Sequence, residues 1–452
     1  MMTMPLSEAA DLLEGRLTGA DRVFHGLSTD TRTLQPGNLF VALRGPRFDG
    51  HDFAAGALAQ GAAGVLADRA LEALSPLIRV ADTHAALGTL AAAWRQRFDL
   101  PVIAVTGSNG KTTVKNLLAA ILATRGQALA TEGNFNNLIG VPLMLARLQP
   151  EHGAAVFELG ANRPGEIARL AAWVRPTVGV ITNAGPAHLE GFGSIEGVAR
   201  AKGELFAALG PEGVAVINAD DPQAEGWRRL AAGRRQLTFG LERPAEVRAD
   251  WAPEGGGTRI ELQTPAGSQT LRLAFSGRHN VMNALAAAAA ALAIGMPLAQ
   301  IAAGLEAARP APGRLRLCPG RRGAMVIDDT YNANPASVEA ALEVLSGLPG
   351  EHWLALGDMG ELGDAAAELH ARIGRAARAS GVRRLWAAGP LAAQAAEAFG
   401  RGAECFEDAA ALAGALGDAA REGVVVLVKG SRAARMERVV AALCEGLQGE
   451  EH

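Results

Sequence analysis

Short runs of apolar residues alternate with longer alanine-rich stretches through most of this chain. The runs have the length of buried strands and lie at residues 102–106, 154–158, 178–182 and 214–218, and again at 324–328, 353–357, 385–389 and 424–428. The stretches between them have the length and periodicity of helices. Strands that alternate with helices in this way predict mainly parallel sheets that are covered on both faces.

Changes in this pattern divide the chain into three predicted domains, and 452 residues are too many for one ordinary core. Residues 1–82 mix short elements, beginning with a helix from Ser7 to Gly15 that Ser7 is predicted to cap. Residues 83–310 predict a central doubly wound, mainly parallel sheet. Within them, residues 258–264 and 270–275 predict a hairpin-like insertion, and a helix begins near Asn280. After a proline-rich joint near Pro310, residues 311–452 predict a C-terminal Rossmann-like α/β domain.

The strand at 102–106 runs into a glycine loop and a helix, a pattern that is typical of a phosphate-binding loop. Residues Thr106 to Thr113 read Thr-Gly-Ser-Asn-Gly-Lys-Thr-Thr, in which Lys111 supplies a cation and Thr112 a hydroxyl for a magnesium ion. The loop is shorter than a strict Walker A, because Val105 stands where that pattern has a glycine. A glycine-rich turn of an ordinary doubly wound sheet is the alternative, and we favour nucleotide binding.

The composition argues against several classes of protein, including nucleic-acid-binding, secreted and membrane-spanning proteins. The net charge is only -4 and charged residues make up 20%, so a nucleic-acid partner is not indicated. The three cysteines lack metal-ligand spacing, which favours a reducing compartment, and we expect the cytoplasm. The N-terminus does not read as a secretory signal. The most apolar long run, 284–296, is too short to span a membrane and predicts a helix packed in the protein core. A monomer is the default expectation.

Three polar residues follow strands of the central segment, where a doubly wound sheet places its ligands. Glu158 ends an apolar run, where a carboxylate needs a cation such as magnesium unless it points to solvent. His188 lies in a loop, where most histidines are structural. Lys202 is predicted at the start of a helix, and a solvated surface lysine is the alternative. In the first segment, the polar stretches around Asp30 and from Arg44 to His51 suit an anionic ligand or a plain surface loop.

Several longer motifs resemble those of the Mur ligases, the peptidoglycan-precursor enzymes related to folylpolyglutamate synthetase. The resemblance covers all three segments and explains the short loop at Thr106–Thr113, which that family shares. The motifs stand at residues 132–142, 158–163, 188–193, 201–204, 277–283, 327–335, 356–363 and 428–432. The resemblance implies an ATP-dependent amide ligase of cell-wall synthesis, and hence a role in cell shape and division. Its expected substrates are UDP-N-acetylmuramoyl-tripeptide and D-alanyl-D-alanine, which are joined through an acyl phosphate.

The resemblance also implies roles for individual residues. Catalysis would depend on Lys111, Glu158, His188 and Lys202. The ATP site would comprise Thr106, Gly107, Ser108, Asn109, Gly110, Lys111, Thr112, Thr113, Asn280, Asn283, Asp328, Tyr331 and Asn332. Mg²⁺ would bind Thr112, Glu158, His188 and Lys202, the last as a carbamylated lysine. The two substrates would meet Asp30, Arg32, Arg44, His51, Asn134, Asn137, Lys429 and Ser431.

Other functions remain open at this stage. The chain could be a Mur-type ligase for a different amino acid, or a folylpolyglutamate-type ligase, since the ATP machinery is shared. A non-catalytic ATP-binding module and a simple ATPase are further alternatives. The sequence leaves open whether the accepted tripeptide carries diaminopimelate or lysine.

Overall fold

The structure is a computed structural model that describes residues 1–72, 74–186 and 189–444. Within them the chain forms three successive α/β units, each on its own main sheet. The predicted fold class is therefore confirmed: a small mixed unit, a central parallel sheet with a P-loop, and a C-terminal Rossmann-like unit. No helix among the described residues is long and apolar enough to cross a membrane.

The N-terminal unit is a five-stranded sheet with a two-stranded ribbon and short helices. Its elements are β1 (Thr3–Pro5), α1 (Leu6–Leu12), β2 (Arg16–Thr18), β3 (Val23–His25), β4 (Leu27–Ser28), β5 (Leu39–Val41), α2 (Ala54–Ala59), β6 (Gly64–Ala67) and β7 (Leu77–Arg79). The sheet order is β2-β7-β6-β5-β4, and β1 pairs with β3. The prediction that Ser7 caps α1 is wrong: Pro5 is the N-cap, and the Ser7 hydroxyl donates to Asp21 at 2.6 Å.

The central unit contains a six-stranded, fully parallel sheet. Its elements are α3 (Thr83–Arg95), β8 (Val102–Thr106), α4 (Lys111–Ala123), β9 (Ala128–Ala130), α5 (Gly140–Leu145), β10 (Ala154–Glu158), α6 (Glu166–Val174), β11 (Val178–Ile181), α7 (Leu189–Phe192), α8 (Ile195–Ala207), β12 (Val214–Asn218), α9 (Ala224–Leu230) and β13 (Arg235–Phe239). The strand order is β13-β12-β11-β8-β10-β9. The four strands predicted here are β8, β10, β11 and β12.

The predicted insertion has one more strand than the sequence pattern suggested. It is a three-stranded antiparallel sheet of β14 (Arg248–Glu254), β15 (Gly257–Thr264) and β16 (Gly267–Leu273). The first of these strands is mostly exposed, so its sequence lacks the apolar alternation that marks the other two. Two helices follow, α10 (Arg278–Ala293) and α11 (Leu298–Ala307).

Alternate residues of β8 enter two different cores, which is the mark of a doubly wound sheet. Val102 and Ala104 pack into the core shared with α3, α5, α6 and α8. Ile103 and Val105 pack into the core shared with α4, α10 and α11. The alanine run of α10 lies fully inside this second core, as the sequence predicted for residues 284–296.

The C-terminal unit is a six-stranded sheet with one antiparallel edge strand. Its elements are β17 (Arg316–Pro319), β18 (Met325–Asp329), α12 (Pro335–Ser346), β19 (Glu351–Gly357), α13 (Ala366–Ala379), β20 (Arg384–Ala388), α14 (Ala392–Phe399), β21 (Ala403–Phe406), α15 (Ala409–Ala419), β22 (Val424–Lys429) and α16 (Glu437–Leu443). The order is β17-β18-β22-β19-β20-β21, and β17 is the antiparallel strand. The domain limits 82/83 and 310/311 stay predictions.

Candidate active site

The carboxyl ends of the central strands open into a cavity of about 1560 Å³ that the C-terminal unit also lines. The loop from Ser108 to Thr113 forms one wall, and Tyr331, Asn332 and Lys429 come from the other unit. Parallel sheets gather ligands at this edge because every strand delivers a loop there. The structure therefore brings together residues that lie more than 200 positions apart in the chain.

The loop between β8 and α4 needs glycine at two positions for steric reasons. Gly107 has φ +150°, and a Cβ there would lie 1.9 Å from the Thr182 hydroxyl. Gly110, the N-cap of α4, has φ +82°, and a Cβ there would lie 2.3 Å from Oδ1 of Asn283. The backbone can therefore turn tightly into the helix, whose N-terminus presents unpaired N–H groups to an anion.

Polar contacts from the β11 loop hold this glycine loop in place. The Asn183 side chain accepts from the Asn109 backbone N–H at 3.0 Å and donates to the Asn109 carbonyl at 3.1 Å. Thr182 donates to the same carbonyl at 2.6 Å. The Lys111 ammonium lies over the loop, donating to the Gly107 carbonyl at 2.8 Å. Burial lowers the pKa of Lys111, and nearby Glu158 opposes the shift.

Glu158 joins the phosphate loop to the loop that follows β9. One carboxylate oxygen accepts from the Thr112 hydroxyl at 2.8 Å, and the other accepts from Asn136 Nδ2 at 2.8 Å. The side chain is buried, since the residue is only 3% exposed. The solvent-facing alternative for Glu158 is thus excluded by the geometry.

The Lys202 side chain is buried, so the alternative of a solvated surface lysine is wrong. It lies within α8 rather than at its start, is 2% exposed, and its Nζ is 5.6 Å from the Phe192 ring centroid. Burial, with a smaller contribution from the Lys111 charge, lowers its pKa to about 7. A large fraction of this amine is therefore neutral near neutral pH. His188, predicted to act with it, lies outside the described residues.

The start of α10 places an asparagine pair behind the loop. Asn280 donates to the Ser276 carbonyl at 2.8 Å, and its Oδ1 accepts from Asn283 at 3.1 Å. Both are buried and both line the cavity, as does His279, which directly precedes Asn280 in the chain. Burial lowers the pKa of His279 to about 4, so it is neutral at physiological pH.

The C-terminal unit contributes a buried ion pair and a stacked cation. Lys429 Nζ lies 2.5 Å from Asp329 Oδ2 and also donates to the Asn332 carbonyl at 2.9 Å. The Arg314 guanidinium stacks 4.1 Å from the Tyr331 ring centroid and donates to the Thr112 hydroxyl at 2.9 Å. Arg314 thus connects the C-terminal unit directly to the phosphate loop.

Asp328 is the predicted nucleotide contact that the geometry favours least. Its carboxylate accepts from the Gly313 backbone N–H at 2.9 Å and from the Thr330 hydroxyl at 2.7 Å. It therefore orders the start of the C-terminal unit, while Asp329 lines the cavity. Ser431, just past β22, lines the cavity as predicted, and its backbone N–H donates to the Asp358 carbonyl at 2.9 Å.

The predicted substrate residues of the N-terminal unit fall into two clusters that do not line this cavity. Asp30 pairs with Arg32, whose hydrogen bonds lower the pKa of the Asp30 carboxyl. Arg44 pairs with Asp68 at 3.1 Å. The His51 ring is fully buried, with Nδ1 2.5 Å from Asp49 and Nε2 3.1 Å from Asp68, and its contact with the substrate stays a prediction. Asn134 and Asn137 do line the cavity.

The sequence analysis missed many cavity residues, among them Lys115, Asn136, Arg314 and Asp329. Each of these four lies close in the sequence to a residue or motif that was chosen. Asn136 stands between the two asparagines that were chosen, Asp329 follows Asp328, and Arg314 follows the Pro-Gly joint directly. Lys115 lies one helical turn after Lys111 and so shares its face of α4.

The oxygen ligands at Thr112 and Glu158 fit a magnesium ion, which prefers hard oxygen donors and usually shares them with phosphates. Among the described residues no group of three or more His, Cys, Asp or Glu side chains is arranged so that it could hold a metal ion. The protein alone therefore offers an incomplete shell, which phosphate oxygens and water complete in sites of this kind.

Comparison with known proteins identifies the class. Family models match residues 23–95 (Mur ligase family, catalytic domain), 105–291 (Mur ligase middle domain) and 313–432 (Mur ligase, glutamate ligase domain). The chain belongs to the Mur ligase family.

Particular relatives match over nearly their full length. The UDP-N-acetylmuramoyl-tripeptide--D-alanyl-D-alanine ligase of Escherichia coli K12 is 44% identical, over 98% of this chain and 99% of its own. Crystal structure I of MurF from Acinetobacter baumannii is 37% identical, with a TM-score of 0.92 over 98% of this chain and 99% of that one. The Thermotoga maritima MurF ligase in complex with ADP is 30% identical, with a TM-score of 0.84 over 92% and 96%.

Proposed function

We propose that this chain is an ATP-dependent ligase that joins D-alanyl-D-alanine to UDP-N-acetylmuramoyl-tripeptide and releases ADP and phosphate. The observation that carries the proposal is the cavity in which the phosphate loop, Glu158 and Lys202 converge between two units. The full-length similarity to ligases named for this reaction supports the choice of substrates. Folylpolyglutamate synthases share only the fold at 18–19% identity, so they lend no support to a folate substrate.

The reaction needs activation because a carboxylate is a poor electrophile. The terminal carboxylate of the tripeptide attacks the γ-phosphoryl group of ATP, which gives an acyl phosphate and ADP. Lys111 and the N–H groups at the start of α4 stabilise the charge that develops on the transferred phosphoryl oxygens. The amine of D-alanyl-D-alanine then attacks the acyl carbon, and phosphate leaves.

The C-terminal unit contributes cations and shields the acyl phosphate from water. Arg314 reaches the Thr112 hydroxyl from the C-terminal side, so its guanidinium lies beside the phosphate loop. Lys429 is held by Asp329 at the opposite wall, where an incoming dipeptide carboxylate would meet it. Asn280 and Asn283 face the adenine in this proposal, and exclusion of water would protect the intermediate from hydrolysis.

Thr112, Glu158 and a carbamylated Lys202 would hold Mg²⁺, which as a Lewis acid supplies charge neutralisation on the phosphate oxygens. Carbamylation requires a neutral amine, and the buried Lys202 with a pKa of about 7 provides one. The modification would replace a buried cation by a carboxylate-like ligand facing the cavity. The protein is proposed to act as a monomer in the cytoplasm.

The decisive experiment measures phosphate release from ATP and Mg²⁺ with UDP-N-acetylmuramoyl-tripeptide, with and without D-alanyl-D-alanine, while mass spectrometry monitors the pentapeptide. Release that depends on the dipeptide, together with product, is expected. Lys111→Ala should lower turnover by about 100-fold or more, because it removes a charge contact made in the transition state. Phosphate release without the dipeptide would instead identify an ATPase. If no phosphate is released under either condition, a non-catalytic ATP-binding module would be favoured.

A further inference from the structure

Lysine is rare in this chain and confined to one place. Only four of the 43 Lys and Arg residues are lysines, namely Lys111, Lys115, Lys202 and Lys429. All four line the cavity. Arg and Lys differ chemically, since the ammonium group is a compact point charge and the guanidinium a planar fork. Three of these lysines have roles in the proposed reaction, which leaves Lys115 to be explained.

Lys115 is a buried cation without a carboxylate partner among the described residues. It is 7% exposed, and its Nζ hydrogen bonds to the neutral side chain of Asn116 at 2.5 Å. Two carboxylates lie near enough to influence it, but both have other partners. Glu158 accepts from Thr112 and Asn136, and Glu132 is paired with Arg147. A buried charge in this state is costly unless an anion reaches it.

The position of Lys115 indicates which anionic group of the ligands would reach its ammonium group. It lies on the same face of α4 as Thr112, one turn further from the phosphate-binding N-terminus. Asn134, Asn136 and Asn137 line the cavity wall from the following loop. In the proposed reaction, a group beside Lys115 would therefore lie next to the γ-phosphate. It would lie on the side of Asn134, Asn136 and Asn137, and not on the side of Asn280 and Asn283, which are proposed to face the adenine.

We propose that Lys115 binds the terminal carboxylate of the peptide substrate and positions it for attack on the γ-phosphoryl group. This inference rests on the proposed function and adds a specificity-determining residue to it. The ammonium holds the carboxylate before transfer, and the amide-lined wall accommodates the remainder of the peptide.

The test measures binding of UDP-N-acetylmuramoyl-tripeptide by calorimetry, in the presence of ADP and without turnover. Lys115→Met is expected to weaken binding of the tripeptide by about 10- to 100-fold, the effect of one charge-assisted hydrogen bond. Lys115→Arg is expected to restore most of that loss. Binding of ADP alone should change by less than about twofold. Equal loss for ADP would make Lys115 a phosphate contact, and unchanged tripeptide binding would likewise overturn the proposal.

A second arm changes the ligand instead of the protein. A tripeptide whose terminal carboxylate is converted to an amide should bind the wild type more weakly than the acid, whereas Lys115→Met should no longer distinguish the two. Retained discrimination would assign the carboxylate to another residue. If the tripeptide fails to bind even the wild type, the proposed function fails rather than this inference.

The matched control is Arg125→Met, which removes a positive charge just beyond the other end of α4, outside the cavity. It should bind all ligands as the wild type does. Thermal melting of each variant checks the fold, and Lys115→Arg keeps the test informative if Lys115→Met unfolds.

Discussion

Titratable side chains that line the cavity are the most consequential residues of this protein. Burial lowers the pKa values of four of them: Lys115 and Lys202, whose side chains are buried, and Lys111 and His279, which are partly exposed. Each lies on a helix of the central unit, so its environment follows from the fold. Two of them lead to predictions at this scale.

Lys202→Ala is expected to lower turnover by about 100-fold or more, because it removes a proposed magnesium ligand. If the active form is a carbamate, short carboxylates such as formate or acetate should restore part of the activity to this variant and none to Lys111→Ala. Phosphate release with and without the added carboxylate is the measurement. Full activity of Lys202→Ala would remove this residue from the metal site.

His279 should make the stability of the protein fall in acid. Its pKa is about 4 in the folded state and near 6.5 when unfolded, so the unfolded chain binds more protons between these values. Stability is therefore lost as pH falls from about 6.5 to about 4. Thermal melting across this range should show a smaller decline for His279→Gln than for the wild type, and parallel declines would contradict the burial argument.

Two helices of the central unit, α4 and α11, pack closely against each other. Gly304 of α11 lies against the backbone of α4, and a Cβ there would be 2.4 Å from the Ile121 Cα. The phosphate loop opens directly into α4, so the packing of α11 also supports the site from behind.

Gly304→Ala should therefore destabilise the central unit by about 1–3 kcal/mol, because overpacking must displace one helix. The matched control is Gly414→Ala in α15, where a Cβ would meet nothing within 4 Å. That change should be neutral or stabilising by up to about 1 kcal/mol, since alanine favours a helix. Melting temperatures of the two variants give the comparison, and equal shifts would show that the contact between α4 and α11 is unimportant.

Most of the fold could be predicted from the sequence, because buried strands and alanine-rich helices differ in both the period and the composition of their residues. The strands at Val102–Thr106, Ala154–Glu158 and Val214–Asn218 match their predictions in full. The exposed β14 and the cap of α1 did not follow from pattern, since neither involves apolar alternation. The burial of His51 between two carboxylates did not follow from the sequence, because a polar loop can still fold a histidine inward.

Contacts between units are the part of the site that sequence could least reveal. Arg314 meets Thr112 and Asn334 meets Asn109 across more than 200 residues of chain, and no local pattern encodes such distances. The resemblance of the motifs indicated many residues of the site, but not which residues of the other unit they contact. It chose Asp328, for example, where Asp329 faces the cavity.

Asn334 offers a test of the contact between units because its side chain does two separable things. Oδ1 caps α12 by accepting from Ser337, and Nδ2 donates to Asn109 Oδ1 at 2.8 Å. Asn334→Ser should keep the cap, since serine is a good N-cap, but its shorter side chain should lose the bridge. We expect an unchanged melting temperature, within about 2 °C, and a larger radius of gyration in X-ray scattering without ligands. An unchanged radius would mean that other contacts suffice.

The confinement of lysine to one cavity makes the protein selectively addressable by chemistry. An acylating reagent that attacks lysine side chains would find no ε-amine on the outer surface, because all four lysines line the cavity. Acylation should therefore report directly on whether the cavity is filled. Mass spectrometry of labelled peptides could then follow ligand entry at each wall separately, with the native sequence unchanged.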